Sequence, residues 1–176
     1  QYKWVAADGT VYEPDVIILA TGFEVGKMLA PMDIRGRSGV PLREVWGVDD
    51  PRAHLGTTVA DYPNLFTLMG PNTGLAHGGS VMFMTECQVR YVTLCLREMI
   101  EQGMTSLEVR AAIQDDYTRR VDDEHAQLVW THPGMRNWYR NDWGRVFSPM
   151  PWRLVDYWQM THEPDFSEYR ITPATY

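Results

Sequence analysis

The sequence predicts an α/β fold with a helical, aromatic-rich tail, on three observations. Val16-Ile-Ile-Leu19 is a run of four aliphatics without alternation, the mark of a strand buried on both faces of a parallel sheet, and it leads to Gly22. Ser80 to Gln102 reads as one long, largely buried helix, closed by Gly103 at C′. Five of the seven tryptophans (Trp130, Trp138, Trp143, Trp152 and Trp158) fall within the same 29 residues, in a stretch with helical signals of its own.

The elements follow in chain order. Tyr2 to Ala6 and Val11-Tyr12 form a hairpin, with Asp8-Gly9 suited to a type I′ turn. Asp15 to Phe23 is the buried strand. Residues 24–60 are rich in Gly, Pro and charge, an irregular connection with a short hairpin around Arg37-Ser-Gly39. Asn64 to Met69 is a second buried strand, closed by Gly70-Pro71-Asn72-Thr73-Gly74. In the long helix Glu86, Arg90, Thr93, Arg97 and Glu101 step along one narrow polar stripe. Ala111 to Trp130 is a second helix, amphipathic through Ile113, Tyr117, Val121 and Leu128. A third short helix runs from Pro151 to Met160, since proline is welcome in a first turn.

Composition removes several classes of function. The 176 residues are 44% hydrophobic and 22% charged, enough for one domain that buries roughly two-thirds of its unfolded surface. The longest apolar run, Val16 to Ala20, is far below the ~20 residues of a membrane helix. Sixteen basic against 23 acidic residues give a net charge of −7, and no Lys/Arg cluster offers counterion release to a polyanion, so neither nucleic acid nor membrane is an expected partner. Cys87 and Cys95 stand about 12 Å apart on one helix and cannot bridge. With no signal peptide in view, a reducing cytoplasm is the expected compartment. The chain opens on Gln1 in strand-like sequence, and a start inside a domain is expected.

Two places have the chemistry of a nucleotide site. A glycine at the carboxyl end of a parallel strand, as in Ala20-Thr21-Gly22, lets a ligand approach backbone without a Cβ in the way. A strand ending in a plain turn would look the same. The second strand leads through Gly70-Pro71-Asn72-Thr73 and the glycine-rich Gly74 to Ser80 segment into the long helix. Backbone N–H groups and the positive end of a helix dipole there favour an anion or an electron-rich carbonyl, although an ordinary loop before a helix has similar spacing.

Together these segments resemble one family. Asp15-Val-Ile-Ile-Leu-Ala-Thr-Gly-Phe23 is similar to the D-V-I-[IV]-x-A-T-G-[FY] segment of the flavin-containing and Baeyer-Villiger monooxygenases. Tyr62-Pro-Asn-Leu-Phe-Thr-Leu-Met-Gly-Pro-Asn-Thr-Gly74 resembles their [FY]-P-N-L-F-x-L-x-G-P-N-[TG], in the expected later position. Asn137-Trp-Tyr-Arg-Asn-Asp-Trp-Gly-Arg145 is similar to the S-W-Y-x-x-x-N-x-P-G-K loop of the Baeyer-Villiger enzymes, in the shorter form of the aryl-ketone (4-hydroxyacetophenone) type. The two G-x-G-x-x-G turns and the F-x-G-x-x-x-H signature of the family have no counterpart here, and the family's catalytic arginine also lies upstream of these motifs. No catalytic residue is therefore assigned, and the chain resembles the last third of a class B flavin-dependent monooxygenase.

The resemblance implies the C-terminal part of a flavoprotein with two dinucleotide-binding domains. Residues 1–104 would close the FAD domain and its interdomain connection, and residues 105–176 would form the tail over the active site. It implies FAD and NADPH as cofactors, and delivery of one oxygen atom of O₂ to a small apolar ketone through a C4a-peroxyflavin. Thr21 and Gly22 would lie at the crossing between nucleotide domains. Gly70, Pro71, Asn72 and Thr73, with Ser80 and Val81, would face the flavin ring, and Leu75, Ala76 and His77 the substrate. Trp138 and Asn141 would reach the nicotinamide ribose. As expected partners it leaves the upstream nucleotide domains or a second copy of the chain.

Alternatives stay open at this level. An N- or S-oxygenating flavin monooxygenase differs only in substrate, and a truncated small-ligand module would have an aromatic pocket without redox activity. Trp138 could be core, and the other four tail tryptophans read as packing. Asp122-Asp-Glu-His125 reads as a solvated helix face and not as a metal site, since contiguous helical residues diverge. His54, His132 and His162 are isolated, and Ser80 lacks the G-x-S-x-G elbow of a hydrolase.

Overall fold

A computed structural model describes residues 3–75, 78–135 and 137–174, a mixed α/β structure built around one long helix. That helix, α2 (Val81–Glu101), starts where Ser80 Oγ accepts the Phe83 N–H at 3.3 Å and stops at Gly103, whose φ of +61° breaks the helical path. The chain then reverses into strand β3 (Met104–Val109). Helix α3 (Ala111–His125) follows, then α4 (Leu154–Thr161), and strand β4 (Tyr169–Pro173) returns antiparallel to β3 with Val109 opposite Tyr169. The hairpin of β1 (Trp4–Val5) and β2 (Val11–Tyr12) and the four-residue helix α1 (Leu42–Val45) precede α2.

Three apolar clusters hold these elements. Leu55, Tyr91, Cys95, Leu107, Val109, Tyr117, Val121 and Tyr169 join α2, α3 and the β3–β4 pair, and the Tyr91 and Tyr169 hydroxyls meet at 2.5 Å inside it. Pairing two buried phenols satisfies both without water. Met84, Cys87, Met150 and Tyr157 seat α4 on α2, and Tyr157 donates its hydroxyl to the Leu55 carbonyl at 2.8 Å. Leu42, Trp46, Ala53, Val59 and Tyr62 form a separate cluster under α1. Cys87 and Cys95 are buried free thiols. No described helix is long and apolar enough to cross a membrane.

Several expectations need correction. Asp15 to Phe23 is not a strand, and it is exposed, with Ile18 at 85%. No described strand supplies the ladder that a parallel strand requires for its own N–H and C=O groups. Asn64 to Met69 is likewise no strand. It is held by single contacts to the preceding loop, a bridge from Thr58 to Phe66 and the Thr67 N–H on the Thr57 carbonyl at 2.8 Å. Helix α2 buries one face only, through Met84, Cys87, Gln88, Tyr91 and Cys95, while Met82 and Ile100 on other faces are exposed. At the first hairpin only Gly9 has positive φ (+85°), so the turn is not type I′. Asp8 accepts the Thr10 N–H there at 2.9 Å. Helix α3 ends at His125, residues 126–128 turn, and a separate 3₁₀ turn, Val129–Thr131, takes in the last two residues of the expected helix. The third helix starts at Leu154, three residues after Pro151. Strands β3 and β4 were not expected.

Candidate functional site

The turn Gly70–Thr73 is the best-defined feature among the motif residues. Its glycine is demanded by packing: a Cβ on Gly70 would overlap the Gly56 carbonyl oxygen and sit 2.7 Å from Thr67 Oγ1. Gly56, at φ +64°, is in turn packed against Pro71 and Thr73. Thr73 is fully buried, and its hydroxyl closes the turn on the Gly70 carbonyl at 2.7 Å. Asn72 takes φ +55°, a conformation in which its side chain points inward and leaves it 3% exposed.

That side chain is saturated by the tail. Asn72 Nδ2 donates to the Val146 carbonyl at 2.9 Å, and Oδ1 accepts from Arg145 Nη2 at 3.2 Å. The Asn72 N–H donates to the Phe147 carbonyl at 2.8 Å, and the Phe147 N–H donates to the Tyr139 carbonyl at 3.0 Å. Two further backbone bonds of 2.8 Å, from the Gly74 N–H to Ser148 and from the Met150 N–H to Gly74, extend this contact as a parallel bridge. The second and third motifs are thus joined side by side.

Arg145 is the hub beneath the joint. Its guanidinium contacts Asp50 at 3.2 Å, Asp122 at 2.9 Å and the Pro51 carbonyl at 3.1 Å, and the side chain is only 11% exposed. Burial lifts the Asp122 carboxyl above its ordinary value, and the guanidinium opposes that lift. His125 lies beside it with Nε2 3.1 Å from the Pro149 carbonyl, and desolvation pushes its pKa down to about 4. The expected solvated face of Asp122 to His125 is therefore wrong for His125, holds in part for Asp122, whose half-exposed side chain is paired with Arg145, and is right for Asp123, which is exposed. His125 continues the stripe Tyr117–Val121 at i+4, and that spacing was the missed signal.

The other sequence-predicted residues lie around this joint in different ways. Asn141 is buried and makes the tail loop: its Oδ1 accepts the Arg145 N–H at 2.8 Å and its Nδ2 donates to Asp50 at 3.3 Å. Trp138 is 58% exposed and rests on Tyr139, with ring centroids 4.1 Å apart, so it is not core. Together with Arg140 and Asp142 it borders a cleft of about 280 Å³ whose other side carries Glu24, Gly26 and Lys27, just after Thr21-Gly22. Thr21 and Gly22 are exposed, and Gly22 has φ +79° with open space where a Cβ would stand. Ser80 and Val81 are exposed at the start of α2, whose first turn carries no acidic residue. Leu75 is half-buried. Ala76 and His77 lie outside the described residues.

The fit to a flavin is partial and local. The first N–H groups of a 21-residue helix have no intrahelical partner, and with no carboxylate in the first turn and bare Gly78 and Gly79 in front they suit an electron-rich carbonyl. The sequence has no G-x-G-x-x-G turn of the kind that holds a pyrophosphate. No group of three or more His, Cys, Asp or Glu side chains there could hold a metal ion.

No protein-family model matches the chain. An uncharacterized monooxygenase, y4iD, of Sinorhizobium fredii is 44% identical over 168 residues, which are 96% of this chain and 25% of that protein. A Baeyer-Villiger monooxygenase of Pseudomonas aeruginosa is 36% identical over 169 residues, 96% of this chain and 32% of its own length. Among solved structures, a closed crystal structure of cyclohexanone monooxygenase aligns with a TM-score of 0.76 at 22% identity, over 97% of this chain and 32% of that one. An OTEMO complex with FAD and NADP aligns at 0.74 with 24% identity, covering 94% and 32%. At such identities the structures speak for the fold alone. The chain spans a quarter to a third of the curated relatives it matches. The resemblance carried by the three motifs is borne out for the family, while the aryl-ketone subtype is not distinguished by these relatives.

Proposed function

We propose, from the premise that this chain is homologous to Baeyer-Villiger and FAD-binding monooxygenases over nearly all its length, that it is the C-terminal part of an FAD- and NADPH-dependent monooxygenase acting on a ketone. The observation that carries the reading is the joint between Asn72 and Phe147. Through Phe147 and Tyr139 it ties the turn of one motif to the loop of another, which supports a site that must hold two nucleotides in register.

Bound flavin would supply the redox chemistry, drawing electrons from NADPH and passing one atom of O₂ to the ketone while the other leaves as water. This chain's residues do the positioning. Ser80 and Val81 present the open N–H groups of α2 to the flavin carbonyl edge, where they stabilise negative charge as an oxyanion hole does. Gly70, Pro71 and Thr73 would lie against a bound flavin, and Asn72 pins them to the tail. Trp138 offers its indole N–H to the nicotinamide ribose, with Asn141 shaping the loop behind it. Thr21 and Gly22 form the crossing to the second nucleotide domain, and Leu75, Ala76 and His77 border the ketone. In this reading residues 1–104 complete the FAD domain and residues 105–176 form the tail, in the cytoplasm. The exposed segment from Val16 to Phe23 is then covered by the upstream domains or a second copy.

The test is an absorbance spectrum of the longest natural chain that contains these residues. It should show bound flavin, and acetophenone or cyclohexanone should stimulate its NADPH-dependent oxygen uptake. Residues 1–176 prepared alone should bind neither FAD nor NADPH tightly, because they offer no phosphate turn. A flavin-free long chain, or a micromolar FAD site on the 176 residues, would overturn the reading.

A further inference from the structure

A cavity of about 270 Å³ opens between the loop at His54, helix α3 and the segment after α4, and shares no residue with the motifs above. Two buried polar side chains on its lining make no hydrogen bond. His54 has a side chain only 6% exposed, and neither ring nitrogen makes a hydrogen bond. Tyr117 is 3% exposed, its hydroxyl is equally unpartnered, and its ring meets the imidazole edge-on at 5.3 Å. Buried polar groups are nearly always satisfied, so two orphans lining one cavity point to something that satisfies them there.

The charge around them is negative. Of the four carboxylates on the lining, Asp116 is engaged by Arg119, and Asp165 accepts the Ser167 N–H and hydroxyl at 2.9 and 2.7 Å. Glu168 stands 3.3 Å from His54 Nε2 without hydrogen-bond alignment, and Glu163 is exposed at the cavity rim. The cationic side chain there, Arg120, lies 5.6 Å over the Trp152 ring. Ile113 and Met160 supply an apolar wall. The lining is no metal site, since the described residues hold no suitable ligand group.

We propose that this cavity binds a small organic cation, an ammonium on a short apolar body. The ammonium sits between Glu168 and Glu163 and donates to the unprotonated nitrogen of His54. The apolar part lies along Ile113 and Met160, and the Tyr117 hydroxyl accepts a second hydrogen bond from the ammonium. The volume suits a ligand at the small end of the range for bound organic molecules.

Phenethylammonium is the probe, with the neutral 2-phenylethanol and the anionic 3-phenylpropionate as shape controls, titrated calorimetrically into the longest natural chain. The ammonium should bind saturably and about tenfold or more tighter than the alcohol, with no binding of the carboxylate. It should move the ring-nitrogen NMR shifts of His54, assigned by their loss in His54→Gln. Glu168→Gln and Glu163→Gln, both at partly or fully exposed positions, should each weaken the ammonium about fivefold with an unchanged thermal midpoint. Equal binding of alcohol and ammonium, an absence of saturable binding, or unaltered affinity in both Gln variants would overturn the proposal and leave water as the partner of the two orphans.

Discussion

Arg145 Nη2 donates to Asn72 Oδ1 at 3.2 Å, across 73 positions of sequence, and the same guanidinium closes on Asp50 and Asp122. One side chain thereby fixes the turn of the second motif to the loop of the third, so its replacement disturbs both.

Arg145→Met should destabilise the fold by about 3 kcal/mol, the loss expected when one partner of a largely buried ion pair is removed, lessened by the partial exposure of Asp122. Arg145→Lys should recover little of it, because an ammonium cannot reach Asn72, Asp50 and Asp122 together. Urea denaturation of both variants against the parent chain measures this, and a loss below ~1 kcal/mol for Met would return Arg145 to the surface.

His125 makes stability depend on pH. Its folded pKa is pushed down to about 4 by desolvation, so the fold takes the neutral ring and the unfolded chain binds the proton first. Its contribution is fully present above about 6.5, the ordinary value for histidine, and falls away as pH drops from there towards 4, to a total of about 3 kcal/mol. In His125→Gln that part of the slope should vanish, which unfolding curves taken between pH 7 and pH 4 would reveal.

Gly70→Val should fail for steric reasons before any cofactor is involved. The added side chain drives into the Gly56 carbonyl, and overpacking of this kind costs roughly 1–3 kcal/mol or more. Gly22→Ala meets open space and bears only the positive-φ penalty of about 1 kcal/mol. Thermal midpoints should rank wild type, Gly22→Ala, Gly70→Val in falling order. A Gly70→Val chain as stable as wild type would contradict the packing seen at this turn.

Trp138→Phe and Asn141→Ala should separate function from stability. Trp138 is more than half exposed, so its replacement should leave the unfolding midpoint alone. In the flavin-loaded long chain it should weaken NADPH by about 1 kcal/mol, one hydrogen bond, and divert more NADPH to hydrogen peroxide. Asn141→Ala strips acceptor and donor from a buried loop and should lower stability by about 1–3 kcal/mol in any form of the chain. Unchanged NADPH affinity in Trp138→Phe would remove the indole from the nicotinamide site.

What the sequence made legible was local. The limits of α2 could be read because Ser80 caps it and Gly103 takes the left-handed turn, both decided within a few residues. The run Val16 to Leu19 misled because a strand is a property of two chains of backbone, and hydrophobic character does not say whether the second is present. Strands β3 and β4 pair across some 60 positions and show no clean alternation of burial, so neither half announces itself. At the candidate site the motifs located the turn and the loop correctly as segments. They did not tell which side of the turn each side chain takes: a φ of +55° sends the Asn72 amide inward, and no spacing rule contains that angle. Arg145 sat at the end of a recognised motif, yet its role depends on Asp50 and Asp122, each remote in sequence.

The backbone bonds that run from Asn72 through Phe147 to Tyr139 set a rule for recombination. Each crossover placed between residues 74 and 139 separates halves that meet at this joint through main-chain atoms, the Asn72 and Asn141 amides and one shared guanidinium. Main-chain contacts tolerate foreign side chains, but the register of the parallel bridge at Gly74 and Pro149 does not tolerate a loop of different length. Chimaeras with relatives should therefore fold when the spacing from the turn glycine to the tail loop's return is kept and Asn72, Asn141 and Arg145 keep their partners. Those that exchange the tail loop for a longer one should inherit both motifs intact and lose the joint between them.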